Sequence, residues 1–368
     1  KRSTSIISYD LSGEFETGSI IHRISVGAEF LDTDNDNDRY HANWLPDFNS
    51  DGDTEVFTIQ RPIRLSGNVG VNSDGNTTVN YYAGANRLRA DETFADIKVL
   101  SFYLNDEIAL TESLDLILGA RFDNMDIGVS GTTNGSDEDD TISPRVGLIF
   151  DLTEQASVYA SYSETFAPKA GDQYAKVSAN DDKLDPDTFE NLEFGVRYDL
   201  PMGISLSAAY FEIEANKPEY NTATMTSSMV KSDISGFELQ LIGSLTEQWF
   251  LSAGYTSLDA KANGGNPLRE APKNMFSLWN KYSISDRLAL NLGVIYQDES
   301  VIKTGSSAVL PEYVRVDVGA NYELTESTTV GLNIENLTDE LYFPHAHSTH
   351  QASVGAPINA MLSITSSF

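Results

Sequence analysis

The chain has 368 residues, 55 acidic against 24 basic, with five histidines and no cysteine. A formal charge of −31 argues against a nucleic-acid partner, because phosphate binding requires a basic surface. The absence of cysteine excludes a disulfide framework and thiolate metal sites.

No stretch approaches the run of about 20 apolar residues that a membrane-spanning helix needs. Mean hydropathy is negative, which would suggest a soluble protein, yet this signal misses strands that show only every second side chain to lipid. No signal peptide stands at Lys1-Arg-Ser-Thr, so the chain is expected to be a mature form or a fragment.

From the N-terminus, the first expected hairpin runs from Ser5 to Asp32 around the turn Glu16-Thr-Gly-Ser. A long loop, residues 33–96, follows. It contains Asp47-Phe-Asn49-Ser-Asp51-Gly52-Asp53-Thr-Glu55, which has the opening of a calcium loop, with oxygen ligands at alternate positions and Gly where the chain must turn. Thr58 occupies position twelve in place of the bidentate Glu, so a complete EF-hand is excluded. Calcium at Asp47, Asn49, Asp51 and Asp53 is weighed against an ordinary solvated acidic loop. Asp32, Asp34, Asp36 and Asp38 could hold the ion loosely as well.

Beyond this loop the sequence is punctuated by near-identical turns at Leu110-Thr-Glu-Ser, Leu152-Thr-Glu-Gln, Leu245-Thr-Glu-Gln and Leu324-Thr-Glu-Ser. Related turns stand at Leu200-Pro-Met-Gly and Ile284-Ser-Asp-Arg. They centre hairpins from Ile97 to Ile127, Ser143 to Phe166, Glu190 to Ile213, Val230 to Ser257, Asn274 to Gln297 and Tyr313 to Asn336, with a last strand from Ala360 to Phe368. Short turns on one rim and long loops on the other describe an all-β, transmembrane antiparallel β-barrel. The count is about 15 strands. Antiparallel closure needs an even number, so an odd number of strands is expected to be missing on the N-terminal side.

Alternation is strict within these segments. Leu114, Leu116, Leu118, Ala120 and Phe122 share one face, while Asp115, Gly119 and Arg121 share the other. A soluble β-sandwich would also alternate. Two features favour lipid. Aromatics on the apolar parity gather before the short turns (Phe150, Tyr198, Trp249, Tyr282, Tyr322) and again near the opposite ends (Phe122, Tyr210, Tyr255, Tyr296), as interfacial girdles do. The polar parity carries Asp115, Arg121, Glu193, Arg197, Arg315, Asp317 and Glu335, which a hydrated lumen tolerates and a dry core does not.

The closing segment Asn336-Leu-Thr-Asp-Glu-Leu-Tyr342, then Gly355-Ala-Pro357 and an alternating tail ending in Phe368, resembles the C-terminus of TonB-dependent outer-membrane receptors. Ser161-Tyr-Ser-Glu-Thr-Phe-Ala-Pro168, Leu184-Asp-Pro186 and Leu192-Glu-Phe-Gly195 look like motifs of the ferric-siderophore branch, and the likeness covers most of the chain from Ile97. Ile358 follows Gly-Ala-Pro where that family often has Arg, and Asp187 follows Pro186 where it often has Glu.

The resemblance implies an outer-membrane receptor and transporter in a Gram-negative bacterium. Such a receptor has a 22-strand barrel filled by an N-terminal plug and is energised through TonB-ExbB-ExbD. This chain would be its C-terminal barrel portion over residues 1–368, without the plug. A haem, metal-ion or other chelate receptor, or a passive porin, is the alternative. Haem is disfavoured because the family's haem receptors carry an Arg in the segment matching Phe166-Ala-Pro168, which is absent here.

A ferric siderophore is bulky, often anionic and partly aromatic, so a mouth that takes it needs Arg, Tyr and Trp. Arg39, Tyr40, Trp44, Tyr81, Tyr82, Arg87 and Arg89 in the first long loop fit, as do Lys169, Tyr174 and Lys176. His345, His347 and His350 form a further ligand-contact candidate, with no carboxylate or thiolate at a metal spacing nearby. Glu193, Arg197, Arg315 and Asp317 are candidates for plug contacts or, equally, for ion pairs within the wall. No nucleophile elbow, phosphate loop or zinc-protease helix is present, so no enzyme, catalytic residue or required cofactor is expected.

Overall fold

The computed structural model describes residues 1–42, 69–71, 78–80, 87–131, 134–167, 186–200, 203–221, 226–348 and 351–367. In chain order the strands are β1 (Arg2–Thr17), β2 (Ile20–Ala42), β3 (Val69–Val71), β4 (Thr78–Asn80), β5 (Arg87–Thr111), β6 (Leu114–Gly131) and β7 (Gly135–Thr153). They continue as β8 (Ala156–Ala167), β9 (Asp187–Leu200), β10 (Ile204–Asn221), β11 (Thr226–Ser244), β12 (Trp249–Ala262), β13 (Asn274–Ser285) and β14 (Leu288–Gln297). The last are β15 (Ser300–Val301), β16 (Val309–Leu310), β17 (Tyr313–Thr325), β18 (Thr328–Glu335), β19 (His345–Ser348), β20 (Gln351–Ser353) and β21 (Asn359–Ser366).

Fifteen of them form one antiparallel sheet in the order β1-β2-β5-β6-β7-β8-β9-β10-β11-β12-β13-β14-β17-β18-β21. Apart from the three small pairs set into long connections, each strand hydrogen-bonds the strands that precede and follow it in the chain. The expected count of 15 therefore stands, as does the expected order.

The recurring Leu-Thr-Glu turn has a local cause. The Thr hydroxyl oxygen accepts the backbone N–H two residues on: Ser113 onto Thr111 at 3.2 Å, Gln155 onto Thr153 at 3.2 Å, Gln248 onto Thr246 at 3.2 Å and Ser327 onto Thr325 at 3.3 Å. A β-branched residue thus ends its strand and caps the turn with one side chain. At Thr111, Thr153 and Thr325 the ladder slips by one residue beside this cap, which tightens the corner.

Alternation divides the sheet as expected. Leu118, Phe122, Leu148, Phe194, Leu239, Leu292 and Leu332 are large apolar side chains left exposed on one face. Such a face is at home only against lipid. Next beyond the girdle aromatics Tyr210 and Tyr296 the outward positions are acidic, Glu212 and Asp298. The hydroxyl of Tyr210 donates to Glu212 at 2.7 Å, and that of Tyr296 donates to Asp298.

On the other face, aromatic rings lie flat over glycines of neighbouring strands. Tyr103 covers Gly27, Tyr159 covers Gly195 and Trp279 covers Gly293; a Cβ on any of these glycines would meet ring atoms at 2.2 to 2.8 Å. On that face Ala95, Ile97, Met125, Ile127 and Val129 are buried together at the long-loop halves of β5 and β6, with Val99 and Phe166 against them.

The expected extent of the first long loop changes. Strand β2 continues to Ala42 and β5 begins at Arg87, so the first long connection is shorter than residues 33–96 and its edges are strand. Polar residues such as Asp34, Asp36 and Asp96 still pair in this ladder, because hydrogen bonding along the backbone does not require the apolar alternation that marks the membrane-spanning part.

Candidate functional site

Inward-pointing side chains form a charged wall. Arg121 donates to Glu29 at 3.1 Å, to Ser101 Oγ at 2.7 Å and to Asp123 at 2.9 Å, with its guanidinium 5.7 Å from the Tyr103 ring centroid. Ser101 Oγ in turn donates to Asp123 at 2.5 Å, and the Asp123 residue is only 2% exposed. Cross-strand register brings them together, Tyr103 opposite Arg121 and Ser101 opposite Asp123. A side chain so deeply placed needs hydrogen-bond partners, and Asp123 finds them in Ser101 and Arg121.

The four residues singled out on this face are each engaged by the wall. The Tyr159 hydroxyl donates to Glu193. Arg197 pairs with Asp199 at 3.1 Å with both side chains well exposed, a contact of little energetic weight. Arg315 donates to Asp317 at 2.8 Å and reaches the Tyr342 hydroxyl at 3.3 Å.

The Asn336 motif owes its composition to the corner it builds. Asn336 has φ of +51°, a conformation Asn tolerates better than other side chains, and is buried. Its N–H donates to Asp317 Oδ1 at 2.8 Å, its Nδ2 donates to the carbonyls of Glu340 at 2.9 Å and Ala356 at 3.0 Å, and its Oδ1 accepts the Glu340 N–H at 2.8 Å. Asp339 accepts the Ile358 N–H at 2.9 Å. Two carboxamide and carboxylate side chains thereby close the neck of the last long loop. Tyr342 fills the space above Gly355, where a Cβ would meet its ring at 2.3 Å.

Above that neck, three long loops are fastened together. Glu270, in the β12–β13 connection and at φ of +53°, accepts the Ala346 N–H at 2.6 Å and contacts His345 Nδ1 at 2.9 Å. Arg269 donates to the Ala346 carbonyl. The Glu270 N–H donates to Val301 at 2.9 Å, which ties in the β14–β17 connection. Beneath lie Ile302, Leu310 and the fully buried Ala346, with Phe343 against them. Burial works against the Glu270 charge, but the Ala346 N–H, His345 and Arg269 outweigh it and hold the carboxyl below the usual carboxylate range.

His345 thus has a carboxylate partner after all, supplied from 75 residues away in sequence. His347 lies two residues along the same strand, and His350 falls outside the described residues. Among the described residues, no group of three or more His, Cys, Asp or Glu side chains is arranged to hold a metal ion.

Arg39 and Tyr40 lie on β2, and Arg87 and Arg89 on β5, with Tyr40 paired to Arg89 and Ala42 to Arg87 across a register slip at Arg39. The backbone therefore gathers these four at the external tip of one hairpin rather than in a loop. Trp44, Tyr81, Tyr82, Lys169, Tyr174, Lys176 and the calcium candidates Asp47, Asn49, Asp51 and Asp53 lie outside the described residues. Sequence reasoning missed Glu270, Arg269 and Tyr159, whose roles depend on partners that no local spacing reveals.

Short turns on one rim, long loops on the other, two girdles and a charged interior define the wall of an outer-membrane β-barrel. The family described as "TonB dependent receptor-like, beta-barrel" matches residues 2–337, and the chain belongs to it. It is an outer-membrane protein of the Gram-negative type. It is similar to the probable TonB-dependent siderophore receptor PiuA of Acinetobacter baumannii, 29% identical over 96% of this chain and 51% of that protein. It is also similar to the metal-pseudopaline receptor CntO of Pseudomonas aeruginosa, 26% identical over 98% of this chain and 51% of that protein. The crystal structure of PiuA superposes with a TM-score of 0.79 at 25% identity, covering 99% of this chain and 56% of that one. The chain spans about half the length of the curated relatives it matches.

Proposed function

We propose that this chain is part of a receptor and transporter that imports ferric siderophores across the outer membrane, with energy supplied by TonB-ExbB-ExbD, and that residues 1–368 act in it as one barrel portion. The observation that carries this reading is a likeness over 96% of this chain to a relative named as a probable siderophore receptor. Supporting it is the gathering of Arg39, Tyr40, Arg87 and Arg89 at one external hairpin tip, where cationic and aromatic side chains suit an anionic chelate.

Trp44, Tyr81, Tyr82, His345, His347 and His350 complete the proposed ligand-contact set, while Glu193, Arg197, Arg315 and Asp317 face the volume a plug would occupy. Calcium at Asp47, Asn49, Asp51 and Asp53 belongs to the same proposal, and calorimetry with millimolar calcium giving no heat would remove it.

Tryptophan fluorescence of the receptor in detergent, titrated with ferric catecholate, hydroxamate and carboxylate siderophores, tests the cargo. Saturable quenching at nanomolar ferric siderophore supports the proposal; a response to none of the ferric chelates would discard it. A receptor for another metal chelate is the second reading, favoured by the likeness to the metal-pseudopaline receptor, and a response confined to a zinc or nickel chelate would select it.

A further inference from the structure

The lipid-facing surface of β12, β13, β14, β17 and β18 is not uniform. Ala320 stands between Leu290 and Leu332 on adjacent strands. Its short side chain leaves an open groove of about 710 Å³, walled by Trp249, Tyr282, Leu292, Val318 and Ile334. All of these share the outward parity. Trp279, one residue from the groove, instead packs over Gly293 on the inward face.

One polar side chain enters this surface. Asn280 sits on the outward parity, opposite Leu251 on one side and Leu292 on the other. The Trp249 indole N–H donates to Asn280 Oδ1 at 3.0 Å, which fixes which way the carboxamide points. Its two Nδ2 hydrogens then have no acceptor among the described residues. In water they would be hydrated without penalty. One outward step inside the girdle residue Tyr282, at the edge of the hydrocarbon layer, they require a partner that the membrane supplies.

We propose that this groove binds a phospholipid of the periplasmic leaflet, with one acyl chain lying along Ala320 and a glycerol-ester carbonyl accepting from Asn280 Nδ2. Position selects the chain, because a groove between the two girdles opens onto hydrocarbon. Chemistry selects the ester, because an amide donor at girdle depth is complemented by a carbonyl acceptor, and ester groups lie at that depth. Trp249 and Tyr282 flank the amide and hold the polar end of the lipid in register. A second outward groove, on Leu148, Ala160, Phe194 and Ala208, is lined on the same parity by apolar and aromatic side chains only, so it offers a chain no such anchor.

The test uses the receptor that contains this chain, delipidated in mild detergent. Native mass spectrometry then follows binding of diacyl phosphatidylethanolamine and of its ether-linked analogue, which lacks the carbonyls. The wild type is expected to bind one diacyl lipid with about tenfold preference over the ether lipid, a hydrogen bond's worth of selectivity. Asn280→Leu is expected to erase that preference, and Ala320→Phe to abolish binding of both lipids. Heat-modifiable gel mobility of each variant shows that the barrel is folded, and both substitutions place apolar groups against lipid, where they are tolerated. Equal binding of ester and ether lipids by the wild type, or wild-type binding in both variants, overturns the proposal. So does a groove occupied by a second copy of the receptor instead of lipid.

Discussion

Glu270 and Ala346 lie 76 residues apart in sequence and are joined by a 2.6 Å hydrogen bond from the Ala346 N–H to Glu270 Oε1. That contact, with His345 and Arg269 beside it, makes one carboxylate the shared anchor of the β12–β13 connection and the β19–β20 hairpin. The carboxyl of Glu270 is held low, so its contribution is present above its unfolded value and is lost as pH falls through the folded one. Hydrogen-exchange protection of Ala346 and Ala352 is expected to persist at neutral pH and to be lost only in acid below the usual carboxylate range. Glu270→Gln is expected to lower protection at neutral pH by about 1–3 kcal/mol and to flatten the pH profile. An unchanged profile in that variant would show that the hairpin is held by other means.

The Arg121, Asp123 and Ser101 network predicts non-additive stability. Asp123→Leu leaves Arg121 with Glu29 as its one remaining carboxylate partner and is expected to destabilise the wall by about 1–3 kcal/mol. The double variant Arg121→Met with Asp123→Leu is expected to lose less than Arg121→Met and Asp123→Leu lose singly, combined, because the Arg121–Asp123 pair is lost only once. Urea unfolding of the four proteins, followed by gel mobility, measures this. Additive losses would mean that the residues act independently.

Gly195 sits beneath the Tyr159 ring, and a Cβ there would lie 2.3 Å from a ring carbon. Gly195→Ala is expected to displace Tyr159 from Glu193 and to cost about 1–3 kcal/mol by overpacking. Tyr159→Ala in the same background should recover part of the loss, since the clash is gone. Unfolding midpoints of the two variants decide it, and no recovery would place the cost elsewhere.

At the mouth, Arg39→Ala and Arg87→Ala are each expected to weaken binding of an anionic ferric siderophore about tenfold, and the pair about a hundredfold, without changing stability. Equilibrium titration of the three variants checks this. Affinity unaffected in the double variant would remove the β2–β5 tip from the site.

The sequence exposed what repeats along it. Period-two alternation in Leu114–Phe122 and the Leu-Thr-Glu turns are local, and they yielded strand count, order and both girdles because each hairpin is built from consecutive residues. Pairing beyond the membrane was hidden, since Asp34, Asp36 and Arg39 carry no apolar alternation although their backbones are laddered to β5. The Asn336 motif was visible as a pattern, but its work of closing a loop neck needed the positions of Ala356 and Ile358. Glu270 gave no signal at all, because an acidic residue in a loop looks the same whether solvated or tied to His345.

The β2–β5 ladder bears on how the wall assembles. Most neighbouring strands on the short-turn rim are joined within a few residues, so their closure entropy is small and their registers can form early. Strands β2 and β5 must instead meet across the whole segment from Ala42 to Arg87, which raises the closure cost by about 2–3 kcal/mol relative to a two-residue turn. Their ladder, from Ile21 opposite Ala109 to Ala42 opposite Arg87, is the one on which that cost falls, and it returns the stabilisation only once many rungs are in place. The seam between β2 and β5 is therefore expected to form later than the short-turn hairpins on either side of it.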